Sequence, residues 1–165
     1  EGCKKIALLC GPENVAIGGN RMEGYEKAME ANHLPAKTEL IWHCSDFTVE
    51  AGKEATRQLL SRQERPDAIF GITDDLAIGA IEAIKEKGLN IPEDIAVVGF
   101  SNTKRSRYMN PTVSSINQFP EKIGRAAAEL LFDQILNSKH AQIKKEIINC
   151  ELIVRESSDR LCKTR

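Results

Sequence analysis

Arg21 opens a segment of helical periodicity, where the helix dipole disfavours a cation. A ligand or a carboxylate is therefore expected beside it, and a guanidinium suits that work with five donors in a rigid fork. Asp74-Asp75 follow an apolar run, as a phospho-acceptor carboxylate would, but Leu8, Leu9 and Cys10 stand where the supporting acids of such a site belong. The loop Gly11–Gly19 is followed by no Gly-Lys-Ser/Thr, and no Gly-x-Gly-x-x-Gly occurs, so neither a P-loop nor a dinucleotide fingerprint is present. There is no Gly-x-Ser-x-Gly elbow. His33, His43 and His140 lie far apart without ligand spacing, so no catalytic triad or zinc site is expected, and no metal or other cofactor. The basic run Lys104-Arg105-Ser106-Arg107 reads as a solvated loop before a nucleic-acid patch. With no activated nucleophile in view, the chemistry on offer is binding, and the chain is expected not to be an enzyme.

The elements that must position these residues alternate. Short β-branched runs predict strands at Lys5–Cys10, Thr38–His43, Asp67–Gly71 and Ile95–Phe100. Amphipathic segments predict helices at Arg21–Asn32, from about Glu50 to Gln63, and at Asp75–Lys87, the last capped by Asp74 and stopped by Gly88. Strands separated by such helices imply βαβ units: an α/β fold with a doubly wound parallel sheet in a three-layer αβα sandwich. Parallel strands are covered on both faces, which is why the runs are apolar and do not alternate. Ligands of such sheets sit beyond the carboxyl ends of the strands, so loops 11–20, 44–49, 72–75 and 101–110 are the ones to read. After residue 110 come an extended piece, Pro111–Asn117, a long helix, Glu121–Leu136, and a strand, Glu146–Val154. The polar tail from Arg155 is expected to fray.

At 165 residues, 41% hydrophobic, the chain can bury one ordinary core. A net charge of -1 with a pI near 6.4 lacks the basic excess of a free-standing nucleic-acid binder. Cys3, Cys10, Cys44, Cys150 and Cys162 form no CxxC pair and are expected as buried, reduced thiols. No apolar run approaches the roughly 18 residues of a membrane span.

Several stretches resemble the LacI/GalR family of bacterial transcription regulators: "GGNRMEGYEKAM", "PDAIFGITDDLAIGAIEAIKEKGLNIPEDIAVVGFSN", "NPTVSSINQFPEKIGRAAAELL" and "CELIVRES". The resemblance runs over residues 4–155 and is most specific in the middle stretch. It implies the C-terminal part of a periplasmic-binding-protein-like effector domain. Residues 1–117 are then the C-terminal subdomain, 118–145 a helix and crossover belonging to the N-terminal subdomain, and 146–165 a returning strand and tail. Crossovers are expected near 117–119 and 140–146, with Gln118 at the hinge. The helix-turn-helix and most of the N-terminal subdomain are expected to lie outside these residues.

The resemblance also implies ligand positions. Arg21 matches an arginine that binds effector hydroxyls or carboxylates. Phe47, after Ser45-Asp46, matches an aromatic that stacks on a sugar or base. Thr73 stands where many relatives have Asn or Asp, and Asp74 matches the family Asp before the Ala-x-Gly helix. Ser101 replaces a ligand-binding Asp, and Val15 and Ile17 fill positions that are polar in purine-sensing relatives. Missing polar partners argue against a purine and favour a sugar or sugar derivative. The implied partners are that small effector, a second copy in a homodimer, and DNA only through the helix-turn-helix, in the cytoplasm and with no membrane. A sugar-binding protein of an uptake or sensor system, which shares the fold, is the alternative.

Overall fold

The structure, a computed structural model, describes residues 2–12, 15–136 and 144–160. His140, Cys162 and most of the crossover expected over 140–146 lie outside the described residues. The elements are β1 (Ile6–Cys10), α1 (Ala16–Ala31), β2 (Ile41–His43), α2 (Val49–Leu60), β3 (Ala68–Gly71), α3 (Asp74–Glu86), β4 (Ala96–Phe100), α4 (Lys104–Tyr108), β5 (Ser114–Asn117), α5 (Pro120–Leu136) and β6 (Glu151–Ile153). They build one sheet in the order β2-β1-β3-β4-β5-β6. The first five strands are parallel. β6 adds antiparallel to β5, through Ser115↔Ile153 and Asn117↔Glu151.

Strand alternation divides the side chains between two faces of the sheet. Gly71 and Gly99 turn to α3, and each is a glycine because a Cβ there would meet Ala77 N at 2.7 Å or Ala77 Cβ at 3.2 Å. The other face carries Ile6, Phe70, Val98 and Phe100, with α1 against its β1 side through Tyr25, whose hydroxyl donates to Ile6 O at 2.8 Å. α2 and α3 cross with their backbones touching. A Cβ on Gly52 would sit 2.7 Å from Leu76 Cα, and one on Gly79 would sit 2.6 Å from Lys53 N. The glycine of the Ala-x-Gly motif therefore serves helix packing. Lys53 closes the crossing, bridging Glu82 at 3.1 Å and Glu86 at 2.6 Å.

Six expectations are corrected. α1 begins at Ala16, so the loop read over 11–20 is largely helix and Arg21 lies in its second turn. Gly18 is buried within α1, on the side facing Ile72. α3 is capped by Thr73, whose hydroxyl accepts from Leu76 N at 3.3 Å, and Asp74 is its first helical residue. The basic run lies in the short helix α4, with Ser106 buried and donating to Thr103 O at 2.7 Å. The strand expected over 146–154 is regular only at Glu151–Ile153. The tail from Arg155 is tied down: Ser157 and Ser158 are buried, donating to Val97 O at 2.6 Å and to Ser114 Oγ at 2.7 Å. Among the thiols, Cys10 and Cys44 are buried as expected, whereas Cys150 is exposed.

Candidate ligand site at the carboxyl edge of the sheet

β1 and β3 are neighbours although β2 lies between them in sequence. Their chains leave the sheet in opposite directions, and that divergence opens a crevice at the carboxyl edge. Arg21 projects into it from α1. Its guanidinium lies over the Phe100 ring, 3.8 Å from the centroid, and Nη1 donates to the carbonyl of Ile72, the first residue beyond β3. Burial draws the guanidinium's pKa below its ordinary value, yet arginine stays charged. A half-buried cation with further N–H groups, braced on an aromatic face, is poised to bind hydroxyls or a carboxylate.

Arg21 forms part of the lining of a groove of about 950 Å³ between α1 and the sheet, with Asn20, Phe100 and Gln118 among its other walls. Ile17, 53% exposed, lines it too. Gln118 donates from Nε2 to Ser101 Oγ at 3.1 Å, so Ser101 stands at the same end. Ser101 and the next residue, Asn102, both have positive φ, 118° and 50°. For non-glycine residues such backbone persists only when its surroundings hold it.

The structure thus brings Arg21, Ile17, Ser101 and Gln118 together. Phe47 is at the same edge of the sheet but elsewhere on it. It is half-buried on the core, and its ring occupies the space where a Cβ on Gly11 would stand. Phe47 does not line the groove that holds Arg21. Val15 precedes α1 and donates its N–H to Pro12 O at 3.2 Å. The Thr73 hydroxyl is spent on the α3 cap. Asp74 is 1% exposed. Its Oδ2 accepts from Thr103 N at 2.6 Å and Thr103 Oγ1 at 2.9 Å, and its Oδ1 from Ser115 Oγ at 2.5 Å. Phe100 and Asn20 were missed as site residues. The signal for Phe100 was available: strand alternation from Val98 places it on the α1 face. Among the described residues no group of three or more His, Cys, Asp or Glu could hold a metal ion.

Residues 1–158 match the family described as a periplasmic binding protein-like domain. The chain belongs to the periplasmic-binding-protein-like domain family. Its relatives are LacI-family repressors, as the sequence motifs imply. This domain is 35% identical over 158 residues to the HTH-type transcriptional repressor CytR of Escherichia coli, covering 96% of the chain and 46% of that protein. It is 36% identical over 158 residues to the repressor PurR of Haemophilus influenzae, covering 94% and 47%. The chain therefore spans about half the length of the relatives it matches. Among solved structures, a LacI-family regulatory protein from Chloroflexus aggregans superposes with a TM-score of 0.88 at 35% identity, over 95% of this chain and 56% of that one. The transcriptional regulator CelR in complex with cellobiose superposes at 0.87 and 32% identity, over 95% and 47%. The lac repressor dimer bound to operator and an anti-inducer does so at 0.86 and 27%, over 95% and 53%. No described helix is long and apolar enough to cross a membrane.

Proposed function

We propose that this domain is the effector-sensing part of a LacI-type bacterial transcription regulator, not an enzyme. A sugar or sugar derivative binds at the Arg21 end of the groove and modulates DNA binding by a helix-turn-helix elsewhere in the parent protein. The observation that carries the reading is the Arg21 guanidinium fixed between the Phe100 ring and Ile72 O at the carboxyl edge. The membership and the cellobiose complex of a relative support it. The site offers hydroxyl-binding donors and an aromatic wall, the combination a polyhydroxylated ring needs. Val15 and Ile17 provide no hydrogen bonds for a base edge, which disfavours a purine.

In this reading residues 1–117 are one wall of the cleft, with Gln118 at a hinge. The apolar face of α5, where Phe132 is 64% exposed, supports assigning 118–145 to the opposite subdomain. An effector that touches both walls favours closure only by its differential affinity for the closed form. Closure would then change the spacing of two DNA-reading units in a homodimer, as a cytoplasmic regulator requires. Thr73 and Phe47 stand at the same edge of the sheet outside the groove, and Asp74 acts from behind it. A thermal-shift screen of neutral sugars against the full-length protein, followed by operator-binding assays with each hit, tests the reading. A sugar that stabilises the protein and alters operator affinity supports it, and a screen without hits counts against it. Stabilisation without any DNA binding would favour the uptake-type sugar-binding protein instead.

A further inference from the structure

Asp74 presents a chemical puzzle. It is a buried acid at the start of a helix whose capping is already done by Thr73. Its three donors come from elsewhere: Thr103 N, Thr103 Oγ1 and Ser115 Oγ. Gly99 keeps the space open, since a Cβ there would press on Asp74 Oδ1 at 2.5 Å. Ser115 passes the grip on, because its Oγ also accepts from Asn102 N at 2.9 Å. Asn102 is held from the other side by Arg155 Nη2, which donates to Asn102 Oδ1 at 2.6 Å. Arg155 N in turn donates to Ser114 Oγ at 2.7 Å, next to Ser115 on β5. Ser101 N completes the set by donating to Ile116 O at 2.9 Å. The three backbone N–H groups of this loop, at Ser101, Asn102 and Thr103, are thus all held by α3 or β5, and the Asn102 side chain by the chain leaving β6.

We infer that Asp74 is a positioning residue for the ligand site: its buried carboxylate holds the Ser101–Thr103 loop in the shape that sets Ser101 beside Gln118, and Arg155 couples that loop to the end of β6. The function of the loop rests on the effector reading above, whereas the anchoring does not. A carboxylate serves here because it accepts from a backbone N–H and two hydroxyls at once, which an amide oxygen does less well. Movement of the β6 strand relative to the sheet would be felt at Ser101 through Arg155 and Asn102, with no contact between Arg155 and the ligand.

The test is site-resolved amide hydrogen exchange on the full-length protein and its Asp74→Asn variant, with Thr103→Val as a milder second variant that spares the buried position. Thr73→Ala, which removes the α3 cap without touching the loop, is the control. The expected result is at least tenfold faster exchange at Asn102 and Thr103 in Asp74→Asn, a smaller acceleration at Thr103 in Thr103→Val, and amides of β3 within about twofold of wild type. Arg155→Met should accelerate Asn102 as well. Unchanged exchange at both loop amides, or an even acceleration across the domain like that in Thr73→Ala, overturns the inference. Calorimetry with cellobiose as the probe separates the two readings. Weaker cellobiose binding by Asp74→Asn ties the anchor to the site. A wild-type protein that ignores cellobiose, galactose and ribose, with the exchange result intact, supports the anchor and overturns the sugar reading.

Discussion

The Arg21 guanidinium lies 3.8 Å from the centroid of the Phe100 ring, although the two residues sit on different elements 79 positions apart in sequence. The pair joins α1 to the end of β4 across the crevice that the strand order opens. It fixes a cation where a ligand arriving at the carboxyl edge would meet it.

Removing the aromatic brace should weaken the site without emptying it. Phe100→Leu keeps an apolar residue of similar burial but removes the ring face, whose cation–π contact is worth about 0.5–2 kcal/mol. Sugar affinity should fall about three- to thirtyfold by calorimetry, while thermal stability changes little.

Helix capping gives a prediction that separates Thr73 from Asp74. Thr73→Ala removes the hydroxyl that accepts from Leu76 N and should cost about 0.5–2 kcal/mol in denaturant unfolding. Thr73→Ser should retain most of that stability, since it keeps the hydroxyl.

The α2–α3 crossing should tolerate no added carbon. In Gly79→Ala the new methyl would meet Lys53 N at 2.6 Å, a backbone atom that cannot turn aside. Overpacking of this kind costs about 1–3 kcal/mol or more, seen as a lower denaturant midpoint. Gly19→Ala, where a Cβ meets nothing within 4 Å, should be neutral or stabilising, because alanine is the better helix former.

Two thiols set an alkaline limit. Burial pushes Cys10 from 9.0 up to about 11 and Cys44 up to about 12. The unfolded chain therefore releases these protons at lower pH than the folded one. Their contribution is complete below about pH 9 and is lost as pH rises through the folded values. Each tenfold difference in proton affinity between the two states is worth about 1.4 kcal/mol. Urea unfolding between pH 8 and 11 should fall less steeply in a Cys10→Ala/Cys44→Ala variant than in wild type. Parallel slopes would contradict the assignment. At pH 8 iodoacetamide should modify exposed Cys150 and leave Cys10 and Cys44 intact in the folded protein.

The parallel part of the fold was legible because strands covered on both faces leave a continuous apolar run, and β1, β3 and β4 stand within a residue of their expected bounds. Where local chemistry pointed one way and packing the other, packing prevailed. Gly18-Gly19 read as loop, yet α1 runs through them, with Gly18 buried on the side facing Ile72. Ser157 and Ser158 read as a solvated tail, yet their hydroxyls find buried partners on β4 and β5. β6 pairs for only three residues, and no apolar periodicity distinguishes Glu151–Ile153 from the residues before it.

In the site, Arg21 was legible from its charge and its place. Asp74 was legible as a chemical group but not as a job, since Thr73 and Asp74 are both capping types and only the folded chain shows which hydroxyl or carboxylate meets Leu76 N. Phe47 and Phe100 illustrate the same limit. Both lie at or just beyond the carboxyl end of a strand, and long-range packing alone decides that Phe47 lies on Gly11 while Phe100 faces Arg21.

The role of Arg21 is tested most directly by calorimetric titration of the full-length protein with a sugar that stabilises it, compared across wild type, Arg21→Lys and Arg21→Ala. Arg21→Ala should raise Kd at least tenfold, with Arg21→Lys between, because a charge-assisted hydrogen bond is worth about 1.5–3 kcal/mol. An unchanged Kd in a folded Arg21→Ala protein would contradict that role.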